Sequence, residues 1–210
     1  MGAASMIECQ RKILAVVIRE DRVRIFPALA LMAASAFSTE ARSQPAFPPC
    51  PAPFATLLAD QVFDRYAVPV GKAKLAPAAP DVKTGRAHLY REAIRTGAKP
   101  GPNFGGHYTI IRIGCGAATT CLAIANATTG HVYFPPELVD AEALLVDTGK
   151  LEIDTFNYRL NSRLLIVVGT PNENQGGTGI SYFLWQSGKL SLVRFTPAAK
   201  LCGLPASTRF

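Results

Sequence analysis

From Tyr108 onward the chain changes its pattern, and that change constrains the fold more than any other feature. Seven short runs follow, YTIIRI, CLAIAN, HVYF, LEIDTF, RLLIVVG, ISYFLW and LSLVRF, rich in β-branched and aromatic residues and separated by Gly, Pro, Asn and Ser. They predict an antiparallel sheet system. Two hairpins are legible, one through Ala127 to Gly130 and one through Gln186 to Lys189. LEIDTF alternates apolar with acidic residues, as a strand with one wet face does, whereas LLIVV is apolar throughout and predicts a central strand buried on both faces. The intervening ELVDAEALLVDTG reads as a short helix or a loop.

Upstream the period is helical. Phe54, Leu58, Val62 and Tyr66 recur four apart after Pro53, predicting one amphipathic helix that closes before Pro69. In GRAHLYREAIRTG, Ala87, Tyr90 and Ile94 share a face, and Gly97 and Pro100 supply a stop, predicting a second. The expected fold class is therefore α+β, with two N-terminal helices packed on an antiparallel β core of about seven strands, as a single domain over 54–210.

What precedes that domain reads as an address. IFPALALMAASAF, Ile25 to Phe37, is an uncharged apolar stretch preceded by Arg22 and Arg24, with small residues offering cleavage after Ser38 or Ser43. At 13 residues it falls short of the roughly 20 a membrane span needs, so 1–43 is expected to be a secretory signal with a long charged lead, and the mature chain to carry no transmembrane segment. Residues 44–53 are a proline-rich tether. Removing the leader leaves Cys50, Cys115, Cys121 and Cys202, an even count of the kind found where disulfides persist. Three pairings exist. Cys115 with Cys121 closes a short loop between two strand-like runs and leaves Cys50 with Cys202.

Charge excludes a partner class. The whole chain carries +7, and from Gln44 onward 16 Lys plus Arg stand against 11 Asp plus Glu, a balance of +5 spread singly. Nucleic-acid binders cluster such residues on one face, so no nucleic acid is expected.

The polar motifs are few. In NFGGHYTIIRIGCG the two glycines allow a sharp turn into the first strand with His107 at its mouth, either a general base or ligand-contacting group or a half-buried ring bonding loop carbonyls; we expect the second. A Cys-His dyad within this motif fails on length, since an extended strand holds His107 and Cys115 roughly 25 Å apart. GTPNENQGGTG offers Asn172, Glu173, Asn174 and Gln175 as donors and acceptors suited to sugar or peptide recognition, or equally a solvated hairpin tip. Asn103, His107, Arg163, Asn172, Glu173, Asn174 and Gln175 are thus the candidate ligand-binding residues. The three histidines show no metal-ligand spacing, no catalytic or nucleotide-binding motif appears, and neither metal nor cofactor is expected.

The combination PNFGGHYTIIRIGCG, a following cysteine, TTGHVY, NSRLLIVVG and a Gly-rich loop before an aromatic strand resembles a family of small exported bacterial proteins of no established activity. The likeness covers roughly Arg86 to Phe195. In that family Ala often stands at the position of Gly105 and the second cysteine follows more closely, so the loop here is enlarged. The resemblance implies an exported bacterial domain and transfers no catalytic residue. Together these features predict an exported, periplasmic, non-catalytic module for an envelope component or protein partner, with a small hydrolase using His107 and Glu173 as the alternative.

Overall fold

The computed structural model describes residues 49–70, 76–149, 151–174 and 177–203. All fall within the compact unit Ser43–Phe210. The expected leader, the first residues of the tether and Gln175 lie outside them. Among the described residues eight strands make one antiparallel sheet: β1 Tyr108–Gly114, β2 Thr119–Asn126, β3 Val132–Tyr133, β4 Asp140–Ala143, β5 Phe156–Tyr158, β6 Leu164–Pro171, β7 Gly179–Gln186 and β8 Lys189–Pro197. Their order is β1-β2-β4-β6-β7-β8, with β3 added to β2 and β5 to β6. Five short helices accompany them: α1 Phe54–Leu57, α2 Asp60–Asp64, α3 Gly85–Leu89, α4 Arg91–Ala98 and α5 Ala198–Cys202. The class is α+β.

Alternation along the strands divides the apolar side chains between two faces, and the sheet curls so that one face packs on itself. Ile110, Leu122, Ala141, Leu165, Phe183 and Leu190 come from six different strands yet form one cluster around Trp185. The opposite face is covered in two patches. Ile94 and Ala98 of α4 cover Ile111, Ile113, Ala123 and Ala125; Phe54 and Phe63 cover Leu164, Ile166, Val168, Ile180 and Tyr182. Removing a side chain such as Phe54 or Phe63 from water contributes about 2–3 kcal/mol. β6 is buried along nearly its whole length and has strands on both sides, as its unbroken apolar run predicts.

The two hairpins form as read. Asn126 to Val132 turns through the ATTG segment, and Gln186 pairs with Lys189 across a two-residue loop. The single helix expected over Phe54 to Tyr66 does not form; Ala59 is extended, at φ −65°, ψ 155°, and splits it into α1 and α2. The reason is packing. Phe54 and Phe63 stand nine residues apart, half a turn out of phase on a continuous helix, and the break lets both enter the same cluster. The second expected helix likewise bends at Tyr90, between α3 and α4, while Ile94 is fully buried and Ala87 and Tyr90 pack beside it.

Two strand expectations change. LEIDTF contributes only Phe156 to a strand, because the stretch of β6 that it would pair with, Gly169 to Pro171, is already occupied by β4. β4 itself lies in the segment read as helix or loop. It fits between β2 and β6 through small groups: Ala141 is fully buried, and a Cβ at Gly169 would collide with the carbonyl oxygen of Glu142. Of the expected tether, Pro49 bridges to Asp147 and Cys50 is buried, so its end is docked rather than loose. Cys50–Cys202 and Cys115–Cys121 are disulfides, the pairing expected.

Candidate functional site

The main path of the sheet ends in β1 and β8, with the short β3 and β5 each paired on one side only, and the most distinctive motif of the sequence proves to belong to β1. The Ala127 N–H donates to the His107 carbonyl, which sets the alternation of the β1–β2 ladder so that Tyr108 and Ile110 turn their backbone groups away from β2. All four of those groups are taken. The Tyr108 N–H donates to Phe104 O at 2.9 Å and the Tyr108 carbonyl accepts from the Asn103 and Phe104 amides. The Ile110 N–H donates to Asn103 Oδ1 at 2.8 Å, and Asn103 Nδ2 donates to the Ile110 carbonyl at 3.2 Å. Asn103 is therefore committed on both sides of its amide and acts as a plug for the strand edge. The glycines after it hold the hook in place: Gly105 and Gly106 have φ of 56° and 84°, their amides donate to Ser162 and Leu160, and a Cβ on Gly106 would lie 2.6 Å from the Pro69 carbonyl oxygen.

His107, at the tip of that hook, is exposed, and its ring lies against the Tyr108 ring at 4.2 Å with no side-chain hydrogen bond among the described residues. The expected half-buried ring bonding loop carbonyls is thus corrected; the glycine amides dock the turn, and the imidazole is left on the surface. Cys115 is removed from chemistry by its disulfide at the far end of β1.

The remaining predicted residues do not gather. Arg163 immediately precedes β6, held by its backbone between Tyr66 and Trp185, and its Nε is buried without a partner, as is Trp185 Nε1. Asn172, Glu173 and Asn174 follow the other end of β6. Eight residues of strand separate the two groups, roughly 26 Å at about 3.3 Å per residue. Because Gly105 and Gly106 dock on Ser162 and Leu160, His107 belongs to the Arg163 end, and it does not meet Glu173. Asn172 is structural in the manner of Asn103. Its Oδ1 accepts from the Val139 N–H at 2.7 Å and its Nδ2 donates to the Glu137 carbonyl at 3.0 Å, tying the loop to the entry of β4.

The open surface lies at the other end of that path. β8 follows β7 through the hairpin and, among the described residues, no strand pairs with its far side. The Ala198 N–H donates to Thr178 O, so by antiparallel alternation Arg194 and Thr196 bond toward β7 while Phe195 presents its N–H and C=O outward. A bulge at Val193 shifts the register between Tyr182 and Phe183. Leu192, Val193 and Phe195 are 56, 45 and 36 % exposed. Beside them runs an open groove of about 370 Å³, bounded by Pro53 and Leu57, by the end of β8 from Arg194 to Pro197, and by Lys200 and Leu201 of α5. The Cys50–Cys202 disulfide joins the chain just before the first wall to the helix of the last.

Cations dominate this groove. From Lys189 to Gly203 there are three basic residues and no acidic one. The Arg194 guanidinium is carried over the Tyr182 ring at 5.1 Å from its centroid. Burial pushes the Tyr182 phenol above its usual value, and the Arg194 charge partly opposes that rise. Searches of protein-family models, of curated proteins and of solved structures return no match to this chain.

Sequence reading identified LSLVRF as a strand but not as the exposed one. Its four apolar residues resemble a buried strand, and the signal that distinguishes it is topological: no strand-like run follows Phe195, so nothing later in the described chain is left to pair with it.

Proposed function

We propose that the protein is an exported, non-catalytic interaction module that docks a protein partner of the cell envelope along β8. The observation that carries this is the open edge: a strand with outward backbone groups and three neighbouring exposed apolar side chains, Leu192, Val193 and Phe195, which water solvates poorly and a partner strand satisfies. Export is supported by the two disulfides, which persist in oxidising compartments, and by the apolar stretch from Ile25. The polar residues first suspected of binding are divided between opposite ends of β6, and Asn103 and Asn172 each engage backbone with both the oxygen and the nitrogen of the side-chain amide, which favours a surface over a catalytic cleft.

A photo-crosslinking residue placed at Val193 in the full chain, produced in its own cells, tests the proposal. The expected result is a discrete adduct with another protein, absent when the same residue stands at exposed Arg91 on α4. Equal, diffuse labelling from both positions would overturn it.

A further inference from the structure

The groove beside β8 says what kind of partner segment fits. This rests on the interaction-module function proposed above and specifies its ligand. Phe195 offers one outward N–H and one outward C=O, a pair that the backbone of an extended segment satisfies in register. Pro197, two residues on, has no N–H, and the Val193 bulge interrupts the ladder on the other side, so the available edge is short. Next to it the groove is walled by apolar Leu57, Phe195 and Leu201 and carries Arg194 and Lys200. Both cations are exposed, and among the described residues neither is within an ion pair. The Tyr182 face holds the Arg194 guanidinium in place, which lowers the ordering cost of a charged contact there.

We infer that β8 takes an extended peptide segment carrying at least one carboxylate and one apolar side chain: its backbone adds to the sheet at Phe195, its acid meets Arg194 and Lys200, and its apolar side chain enters the groove against Leu57 and Leu201. A second copy of this chain is the poorer occupant, because pairing β8 with itself brings together two segments that hold only positive charge between Lys189 and Gly203. The walls belong to separate elements, α1 and α5, and the Cys50–Cys202 disulfide anchors one to the other, so the site also requires that bond.

Panning a random heptapeptide display library against the disulfide-intact full chain tests the inference. Enriched peptides are expected to alternate apolar residues and to contain Asp or Glu. Synthetic versions should bind the Arg194→Glu, Lys200→Glu double variant about tenfold or more weakly, since the reversal replaces two attractions with two repulsions. They should also lose binding to the Cys50→Ser, Cys202→Ser variant and when N-methylation removes their own amide donors. Thermal melts of the charge-reversed protein that superimpose on the parent exclude unfolding as the cause. Enrichment of peptides without acids, or indifference to the charge reversal, overturns the inference. So does a Val193 crosslink joining two copies of the chain. An empty library alongside a discrete Val193 adduct to another protein defeats the acidic-peptide inference and leaves the interaction module standing; failure of both defeats both.

Discussion

The two strands that end the main path of the sheet, β1 and β8, solve the same problem in opposite ways. On β1, one asparagine side chain and the hook behind it take up the outward groups of Tyr108 and Ile110. The Thr109 hydroxyl adds a bond to the Gly101 carbonyl, and α4 covers the outer face. β8 carries only a bulge, an edge proline and charged residues, devices that discourage indiscriminate pairing without filling the edge. β1 is thus plugged at Tyr108 and Ile110, whereas β8 leaves apolar side chains beside its outward groups. On the function proposed above, β1 belongs to the scaffold and β8 is the working surface.

The disulfides give the largest handle on that contrast. Cys50–Cys202 spans 152 residues and secures the groove side, whereas Cys115–Cys121 spans 6 and closes the hairpin carrying β1. On the chain-entropy account, removing the first should cost about 5 kcal/mol and the second about 2. Denaturant unfolding of the paired Cys→Ser variants measures both; equal losses would mean that the long bridge does not restrain the unfolded chain as supposed.

Next in size is the plug. Asn103→Ala leaves the Ile110 N–H and C=O without partners, at an expected cost of about 1–3 kcal/mol, and should raise self-association by exposing a second edge. Leu192→Lys, on the open strand, should change stability by no more than about 0.5 kcal/mol while abolishing the Val193 crosslink. If the two variants behave alike, the distinction between the edges fails.

His107→Ala sharpens the same boundary within the hook. Since the ring is exposed and makes no hydrogen bond among the described residues, the substitution should leave the melting curve nearly unchanged, within about 0.5 kcal/mol. Gly106→Ala should be far costlier, because its Cβ has nowhere to go.

The smallest effects are in the tyrosines beneath the two edges. Burial raises Tyr158 and Tyr182 above the ordinary phenol value of about 10, opposed by Arg112 of β1 in the first case and Arg194 of β8 in the second, with Asp154 raising Tyr158 further. The folded state thus holds these protons more tightly than the unfolded chain. Their contribution to stability is complete below pH about 10 and is lost as pH climbs above it. Arg194→Ala should move the Tyr182 titration to still higher pH and leave Tyr158 in place, which phenolate absorbance resolves; a downward move would contradict the stacking geometry.

Local chemistry in the sequence was enough for the strand-rich core, both hairpins and the burial of LLIVV, because alternation and turn residues act over a few neighbours. The cysteine pairing followed from spacing and elimination. Four features needed long-range packing. Ala59 breaks a helix that local pattern favours, because Phe54 and Phe63 share one cluster. β4 forms from an ambiguous segment, because β2 and β6 stand ready on either side of it. Asn103 and Asn172 look like ligand-binding amides until the backbone groups they saturate are in view. The open edge of β8 was the least legible: LSLVRF has the composition of a buried strand, and exposure is a property of what lies beside a strand rather than of the strand itself. Composition specifies that a segment pairs; only the folded order of the sheet decides which segment is left without a neighbour, because that order depends on contacts between residues far apart in the chain.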